Sequence, residues 1–487
     1  MIEHLKQQNF ILQADAYKAT HWKQLKRSTK KSYSVIVPRK VSKYSDIIVA
    51  MGQSMVASYF ASVRITDEMI DEAELEITEQ GYDFYRAGWE YIAHELDGKL
   101  PLAIFGVEEG RIVQPQTPIL GIINTDDRSA WLPAYSETIA QDIIWTMSSV
   151  ASLSLAIRKT FAHYIEETGA HMNQLNTRCH FFGDRGGSSP ESAVLTAIAH
   201  AVIFDGSDCL QANRYIKRLY NTSKAYTSSI DATEHSTMCD NSDATTKDDY
   251  GAAVMAVELL EQAVERTKTR GIGIPMISAV IDTYDSRRFV RDYVGGPELK
   301  ERVINSGGTF VFRPDSGDIT VEPGMVGNDI EYAFGVEVNE KGYKVIPCYT
   351  AVLQGDGIKW NTYESVIKGW VDAGFSIDNF AIGMGAGLSN GTSRDDFSFS
   401  MKSIATFDGL RWTRKLKEPK TDLGKKSLSG LVRCREDANG NLEVYDAIHE
   451  GNEYGFMYPG AGWKLWFENG HRKYRQSFDE VREWASK

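Results

Sequence analysis

No stretch of this 487-residue chain approaches the ~20 consecutive apolar residues that a membrane-spanning helix requires. The N-terminal MIEHLKQQNFILQADAYK lacks a basic region followed by an apolar stretch and a small-residue cleavage site. No secretory signal is therefore expected, and a cytoplasmic location is. Cysteine is scarce: Cys179, Cys209, Cys239, Cys348 and Cys434 are widely spaced and include no CxxC pair. An odd number so placed argues against a disulfide framework or a zinc knuckle and points to reduced thiols. Net positive charge is missing too. At a formal −12 the chain would repel a nucleic acid or an anionic membrane overall, which leaves room only for local basic sites that take a small anion. Internal repeats and low-complexity tracts are absent.

What is present is ordinary globular material. Hydrophobic residues make up 42% and charged residues 25%, enough for a large core without covalent staples. At roughly 100–200 residues per domain, the length allows two to four domains. The middle of the chain repeats one grammar: a short apolar run ends abruptly in Gly, Asp, Arg or His. CHFFGDRGG (179–187), AVIFDGSD (201–208), MISAVIDTYD (276–285), GTFVFRPDSGD (308–318), AVLQGDG (351–357) and FAIGMGAG (380–387) all follow it. Helical stretches lie between. Ser189-Pro190-Glu191 reads as a helix start, residues 249–270 have helical apolar spacing and stop at Gly271, and Asn361 would cap the helix that follows it.

Strand, polar loop and helix in alternation imply a parallel α/β architecture with ligands at the C-terminal ends of the strands. Irregular spacing predicts a distorted or incomplete barrel over 151–387. The flanks differ. Residues 1–150 mix strands and helices, and after about 388 alternating stretches such as NGNLEVYD and GWKLWFENGHRKYRQSF carry Asn-Gly turn signals. The fold expected is thus an irregular parallel α/β barrel-like domain packed on an α+β domain formed by both chain ends, 1–150 with 388–487.

Several clusters carry chemistry. In RPDSGD (313–318), Arg313 presents a planar fork for phosphate and Asp315 an acceptor for ribose hydroxyls, although Asp-Ser-Gly is also a common turn. QGDG (354–357) offers Gly355 for close approach and Asp356 as a second acceptor, or simply an Asp-Gly turn. GMGAG (383–387) is a glycine-rich phosphate loop without a Walker lysine; Arg394 would add charge. ATEHST sets Glu234, which would orient the ring, beside His235. His180 and Phe182, two apart on a strand, would share a face, with Arg185 just beyond. The lysine-rich run 415–427 reads as a solvated loop or an anion-gathering one.

Taken in order, DAYKATH, HFFGDRG, FDGSD, EHST, DTYD, FRPDSG, QGDG, GAGL and TSRD resemble the nicotinamide phosphoribosyltransferases over nearly the whole chain. The resemblance implies a type II phosphoribosyltransferase fold and a head-to-tail homodimer with shared active sites. It also implies joining nicotinamide to phosphoribosyl pyrophosphate, giving nicotinamide mononucleotide and pyrophosphate for NAD salvage. Mg²⁺ would ride on the pyrophosphate and water, with no dedicated protein ligands, and ATP would be a coupled, non-obligatory substrate acting through His235. By the same likeness the base stacks between Phe182 and Tyr17 of the partner subunit, and Asp208 accepts from the carboxamide. Arg185, His235 and Arg313 bind pyrophosphate, while Asp315, Gly355 and Asp356 hold the ribose. Gly385, Ala386 and Arg394 take the 5′-phosphate. Arg39, Lys402, Lys417 and Lys425 reach toward the phosphates, some from the other subunit, and Ser278 and Asp282 line the pocket.

Three positions depart from the family pattern. Asp184 replaces an aromatic residue between the glycine and Arg185, where it would pair with Arg185 or face away. Ala386 replaces a glycine, which puts the phosphate turn's geometry in question. Ala16 replaces a serine. Asp184 keeps open a phosphoribosyltransferase for nicotinate or another base. A non-catalytic binding protein on the same fold is the remaining alternative, disfavoured because Arg185, His235, Arg313, Asp315 and Asp356 are all retained.

Overall fold

Apolar runs that end in polar residues become strands buried on both faces, as parallel sheets require. The computed structural model describes residues 8–421, 426–451, 456 and 458–487. It separates into two units. The first comprises the chain up to Ser152 with Tyr215–Ser223 and Thr392–Lys487; the second comprises Leu153–Arg214 and Lys224–Gly391. The boundary near residue 152 falls inside one long helix, Glu137–Thr168.

The second unit is built on a seven-stranded sheet. Its spatial order is Gly206–Ser207, Cys179–Phe181, Phe380–Met384, Thr350–Gln354, Thr309–Arg313, Met276–Val280 and Asp231–Ala232, and every neighbouring pair is parallel. The two edges approach each other. Ser228, just before the last strand, bridges Gly206: Ser207 N donates to Ser228 O at 3.0 Å and Ser228 N to Asp205 O at 2.8 Å. A strand edge left open is a template for unwanted pairing, and this bridge covers it. The sheet therefore forms the irregular barrel-like ring that the sequence pattern implied. Ile277, Phe310, Phe312, Val352 and Ile382 are among its buried side chains.

Helices return the chain between strands, and their ends follow local chemistry. Ser189 caps Pro190–His200 by accepting from Ser192 N. Tyr250–Arg270 stops at Gly271, whose φ of 61° suits a residue without a Cβ. Two expectations need correction. Thr362, not Asn361, stands at the N-cap of Tyr363–Asp372, and its hydroxyl accepts from Lys359 N. AVIFDGSD holds only a two-residue strand, because Ala201–Phe204 wind on from the preceding helix through backbone bonds to Ala197, Ala199 and His200.

The first unit carries an antiparallel seven-stranded sheet with strands from both chain ends. Its order is Trp412–Arg414, Ser400–Phe407, Lys31–Val37, Leu120–Asn124, Leu102–Gly106, Lys464–Glu468 and His471–Arg472. The final hairpin turns through Asn469 (φ 49°) and Gly470 (φ 78°), the two positive angles that an Asn-Gly turn supplies. The buried Glu109 carboxylate accepts from Gly52 N and Ser54 N, each at 3.0 Å, and from the Tyr220 hydroxyl at 2.9 Å. This clip anchors Tyr215–Ser223 within the first unit, a placement that no local pattern announces.

Candidate active site

The clusters singled out in the sequence meet at the C-terminal ends of the parallel strands. Arg313 ends its strand, and the turn after it is held by Asp282, two residues beyond the neighbouring strand. Asp282 Oδ2 accepts from Asp315 N at 3.3 Å and from the Ser316 hydroxyl. Its other oxygen lies 3.2 Å from His235 Nε2, and His235 Nδ1 lies 3.7 Å from Asp315 Oδ2. His235 thus stands between two carboxylates. Glu234 does not orient the ring; its carboxylate accepts from the Ser236 hydroxyl instead. Asp282 is more than a pocket wall: it links the EHST and RPDSG segments.

The QGDG turn joins this group. A Cβ at Gly355 would lie 3.4 Å from the Phe182 ring and 3.7 Å from Arg313 Cδ, so three separate segments converge there. Gln354, fully buried, donates from Nε2 to Asp356 O at 3.3 Å and supports the turn. A Cβ at Gly383 would lie 2.0 Å from the Phe182 ring, so only glycine lets the ring lie against the strand.

A cavity of about 390 Å³ runs inside the ring of strands. Its wall includes Phe182, Asp208 and Arg313 at the strands' C-terminal ends and Ser278 midway along its strand; its far end includes Gln174, Arg178 and Asn379. Ser278 Oγ and Arg313 Nε are buried without a hydrogen-bond partner among the described residues. Unsatisfied buried polar atoms are costly, and these two are suited to a polar ligand. His180 and Phe182 both line the cavity, their ring centroids 6.2 Å apart, as the two-residue spacing implied. Asp208 is exposed at the rim and accepts from the Ser229 hydroxyl. Arg178 was not foreseen. It immediately precedes its strand, burial pushes its guanidinium down to about 10, and it donates to Phe380 O at 3.1 Å.

The glycine-rich segments pack on each other. Ser389 donates to Gly183 O at 2.8 Å, and a Cβ at Gly186 would meet Ala386 at 2.8 Å. Ala386 opens the short helix Ala386–Ser389 and is not among the residues with positive φ, so alanine fits this turn without strain. Asp184 faces Cys209, whose thiol is pushed up to about 12 by burial and by the hydrogen bond with that carboxylate. Arg185 is exposed and has no carboxylate partner among the described residues.

Tyr17, Arg39, Arg394, Lys402 and Lys417 belong to the first unit. There Arg39, Lys402, Lys417 and Lys426 line one basic recess. Burial lowers the Lys402 pKa; Glu137 opposes the shift, and Lys18, Arg39 and Lys417 add to it. Lys417 and Lys426 come from the lysine-rich run. Arg394 pairs with Asp395 at 2.9 Å. Tyr17 is 53% exposed, which leaves an aromatic face open. Lys425 lies outside the described residues.

A model of the nicotinate phosphoribosyltransferase (NAPRTase) family matches residues 177–449, and one of the nicotinamide phosphoribosyltransferase N-terminal domain matches 9–104. The chain is 33% identical to a nicotinamide phosphoribosyltransferase of Xanthomonas campestris pv. campestris over 436 residues, 89% of each chain. It is 27% identical to one of Acinetobacter baylyi, covering 96% of this chain and 95% of that one. Among solved structures, nicotinate-nucleotide pyrophosphorylase from Pyrococcus furiosus superposes with a TM-score of 0.58 at 14% identity, over 100% of this chain and 95% of that one. Human nicotinic acid phosphoribosyltransferase does so with 0.54 at 14% identity, over 97% and 92%; at such identity these likenesses speak for the fold alone. With a parallel ring that carries its polar clusters at the strand ends, and with these matches along its length, the chain belongs to the nicotinate phosphoribosyltransferase (NAPRTase) family and carries the nicotinamide phosphoribosyltransferase N-terminal domain.

Proposed function

We propose that this enzyme is a pentosyltransferase that joins nicotinamide to phosphoribosyl pyrophosphate, giving nicotinamide mononucleotide and pyrophosphate for NAD biosynthesis. A single cavity has Phe182 and Asp208 at its wall together with the unpartnered Ser278 Oγ and Arg313 Nε. That set suits a flat aromatic ring with a neutral polar substituent. The two relatives named nicotinamide phosphoribosyltransferase support the same choice of base.

In this reading the pyridine lies on Phe182, and Asp208 accepts from its amide. Asp315, Gly355 and Asp356 hold the ribose. Arg185, His235 and Arg313 neutralise the leaving pyrophosphate, and the turn at Gly385-Ala386 receives the 5′-phosphate. As the C1′–O bond breaks, positive charge grows on the ribose beside Asp315 and Asp356, and the pyridine nitrogen attacks from the opposite face. Catalysis is positioning plus electrostatics, with no nucleophilic side chain. Mg²⁺ carried by pyrophosphate and water would supply further neutralisation, and exposed oxygens such as those of Asp356 suit a hard cation through water. His235, 46% exposed and held by Asp282, is accessible to a phosphoryl donor, which supports optional ATP coupling.

A homodimer with shared sites completes the reading. Tyr17 of the partner subunit would cover the second face of the base, and Arg39, Arg394, Lys402, Lys417 and Lys425 would gather phosphate. No described helix is long and apolar enough to cross a membrane, and the free thiols suit the cytoplasm. Steady-state assays with phosphoribosyl pyrophosphate and a panel of pyridine bases, with and without ATP, test the proposal. Equal kcat/KM for nicotinate and nicotinamide would overturn the choice of base.

A further inference from the structure

Base selectivity also depends on what stands beside Asp208. In the parallel pairing, His180 lies opposite Gly206 and Phe181 opposite Ser207, and Asp208 N donates to Phe181 O at 3.0 Å. The register carries Phe182 and Asp208 two residues further on, so His180, Phe182, Gly206 and Asp208 share one face. Gly206 has no side chain, and the imidazole fills its place: a Cβ there would lie 2.3 Å from His180 Nδ1. The ring therefore occupies the cavity wall next to the acid and 6.2 Å from the Phe182 ring.

We propose that His180 is a specificity-determining residue: as a neutral imidazole it leaves the Asp208 carboxylate uncompensated, and a cation in its place would open the site to nicotinate. This rests on the role given to Asp208 in the proposed function. The tautomer follows from geometry. His180 Nε2 lies 3.1 Å from Thr177 O, which only accepts, so Nε2 carries the proton and Nδ1 keeps its lone pair. The surroundings keep the ring neutral. Burial lowers its pKa from the ordinary value, Asp208 and Asp205 pull the other way, and Arg178, before the same strand, lowers it again. His200, behind the strand, is itself held neutral by burial. Arg178 does not neutralise Asp208 in His180's stead, because its guanidinium is committed to Gln174 and to the carbonyls of Asp378 and Phe380.

The test compares kcat/KM for nicotinamide with that for nicotinate at pH 8 in wild type, His180→Gln, His180→Lys and His180→Arg. His180→Lys should lower the nicotinamide preference at pH 8 about tenfold or more, because it sets a cation beside the acid. His180→Gln, which stays neutral, should keep the wild-type preference. A wild-type ratio in His180→Lys, or a loss of preference in His180→Gln as large as that in His180→Lys, overturns the inference while leaving the proposed function intact. A wild type without nicotinamide preference at pH 8 overturns both. If His180→Lys does not fold, His180→Arg supplies the cation and the same comparison decides.

Discussion

Replacing Asp282 by alanine removes one side chain and releases two segments. The carboxylate, 10% exposed, holds His235 Nε2 at 3.2 Å, Asp315 N at 3.3 Å and the Ser316 hydroxyl. Buried hydrogen bonds to a charged group contribute about 1.5–3 kcal/mol each, but His235 is half exposed and solvent screens its share. A combined loss of about 3 kcal/mol in positioning is reasonable for the three. At about 1.4 kcal/mol per tenfold, kcat/KM for phosphoribosyl pyrophosphate should fall by on the order of 100-fold. Asp282→Asn, which keeps an acceptor but loses the charge, should lose about tenfold. The assay is steady-state kinetics with each substrate varied in turn, alongside thermal unfolding to confirm that the fold is retained. An Asp282→Ala enzyme within threefold of wild type, or one changed only in KM for nicotinamide, would refute the assignment of Asp282 to the pyrophosphate and ribose side.

Other perturbations separate the remaining roles. Asp208→Ser should erode the preference for nicotinamide over nicotinate. Two like charges ~4 Å apart cost about 4 kcal/mol at an effective dielectric near 20, but Asp208 is exposed, so screening brings the expected change nearer tenfold to a hundredfold; an unchanged ratio of kcat/KM removes its assigned role. Gly383→Ala drives a methyl to within 2.0 Å of the Phe182 ring, so KM for nicotinamide should rise about tenfold, at an overpacking cost of about 1–3 kcal/mol to stability. Titration calorimetry showing wild-type base binding would refute the Phe182 contact. His200, fully buried against Ser154 Oγ at 2.9 Å and Cys179 O at 3.1 Å, has its pKa lowered by burial from 6.5 to about 4. The unfolded chain therefore takes up this proton first, and stability present above pH 6.5 is lost as the pH falls toward 4, by at most about 3 kcal/mol. Urea denaturation of wild type and His200→Gln across that range should show the variant with the shallower pH dependence. Glu109→Ala should destabilise by about 3 kcal/mol or more, since two backbone amides and the Tyr220 hydroxyl lose a buried charged acceptor; an unchanged urea midpoint would refute the clip.

Consecutive residues specify the parallel architecture and the polar segments at the strand ends. Apolar runs ending in FFGDR, FRPDSG, QGDG and GMGAG state both where strands lie and which residues sit at their C-terminal ends, because a strand's burial is written in consecutive residues. Capping and turn chemistry was equally local at Ser189, Gly271 and Asn469-Gly470. Tertiary folding set the relations between distant segments. It gave His235 to Asp282 rather than to the adjacent Glu234, and turned Asp184 toward Cys209 rather than Arg185. It also joined Gly206 to Ser228 across the sheet edges, and tied Tyr220 to Glu109. Adjacency in the chain favours an interaction only when the backbone aims both side chains the same way. At Glu234-His235 the start of a helix turns them apart, and a carboxylate 47 residues away takes the ring instead.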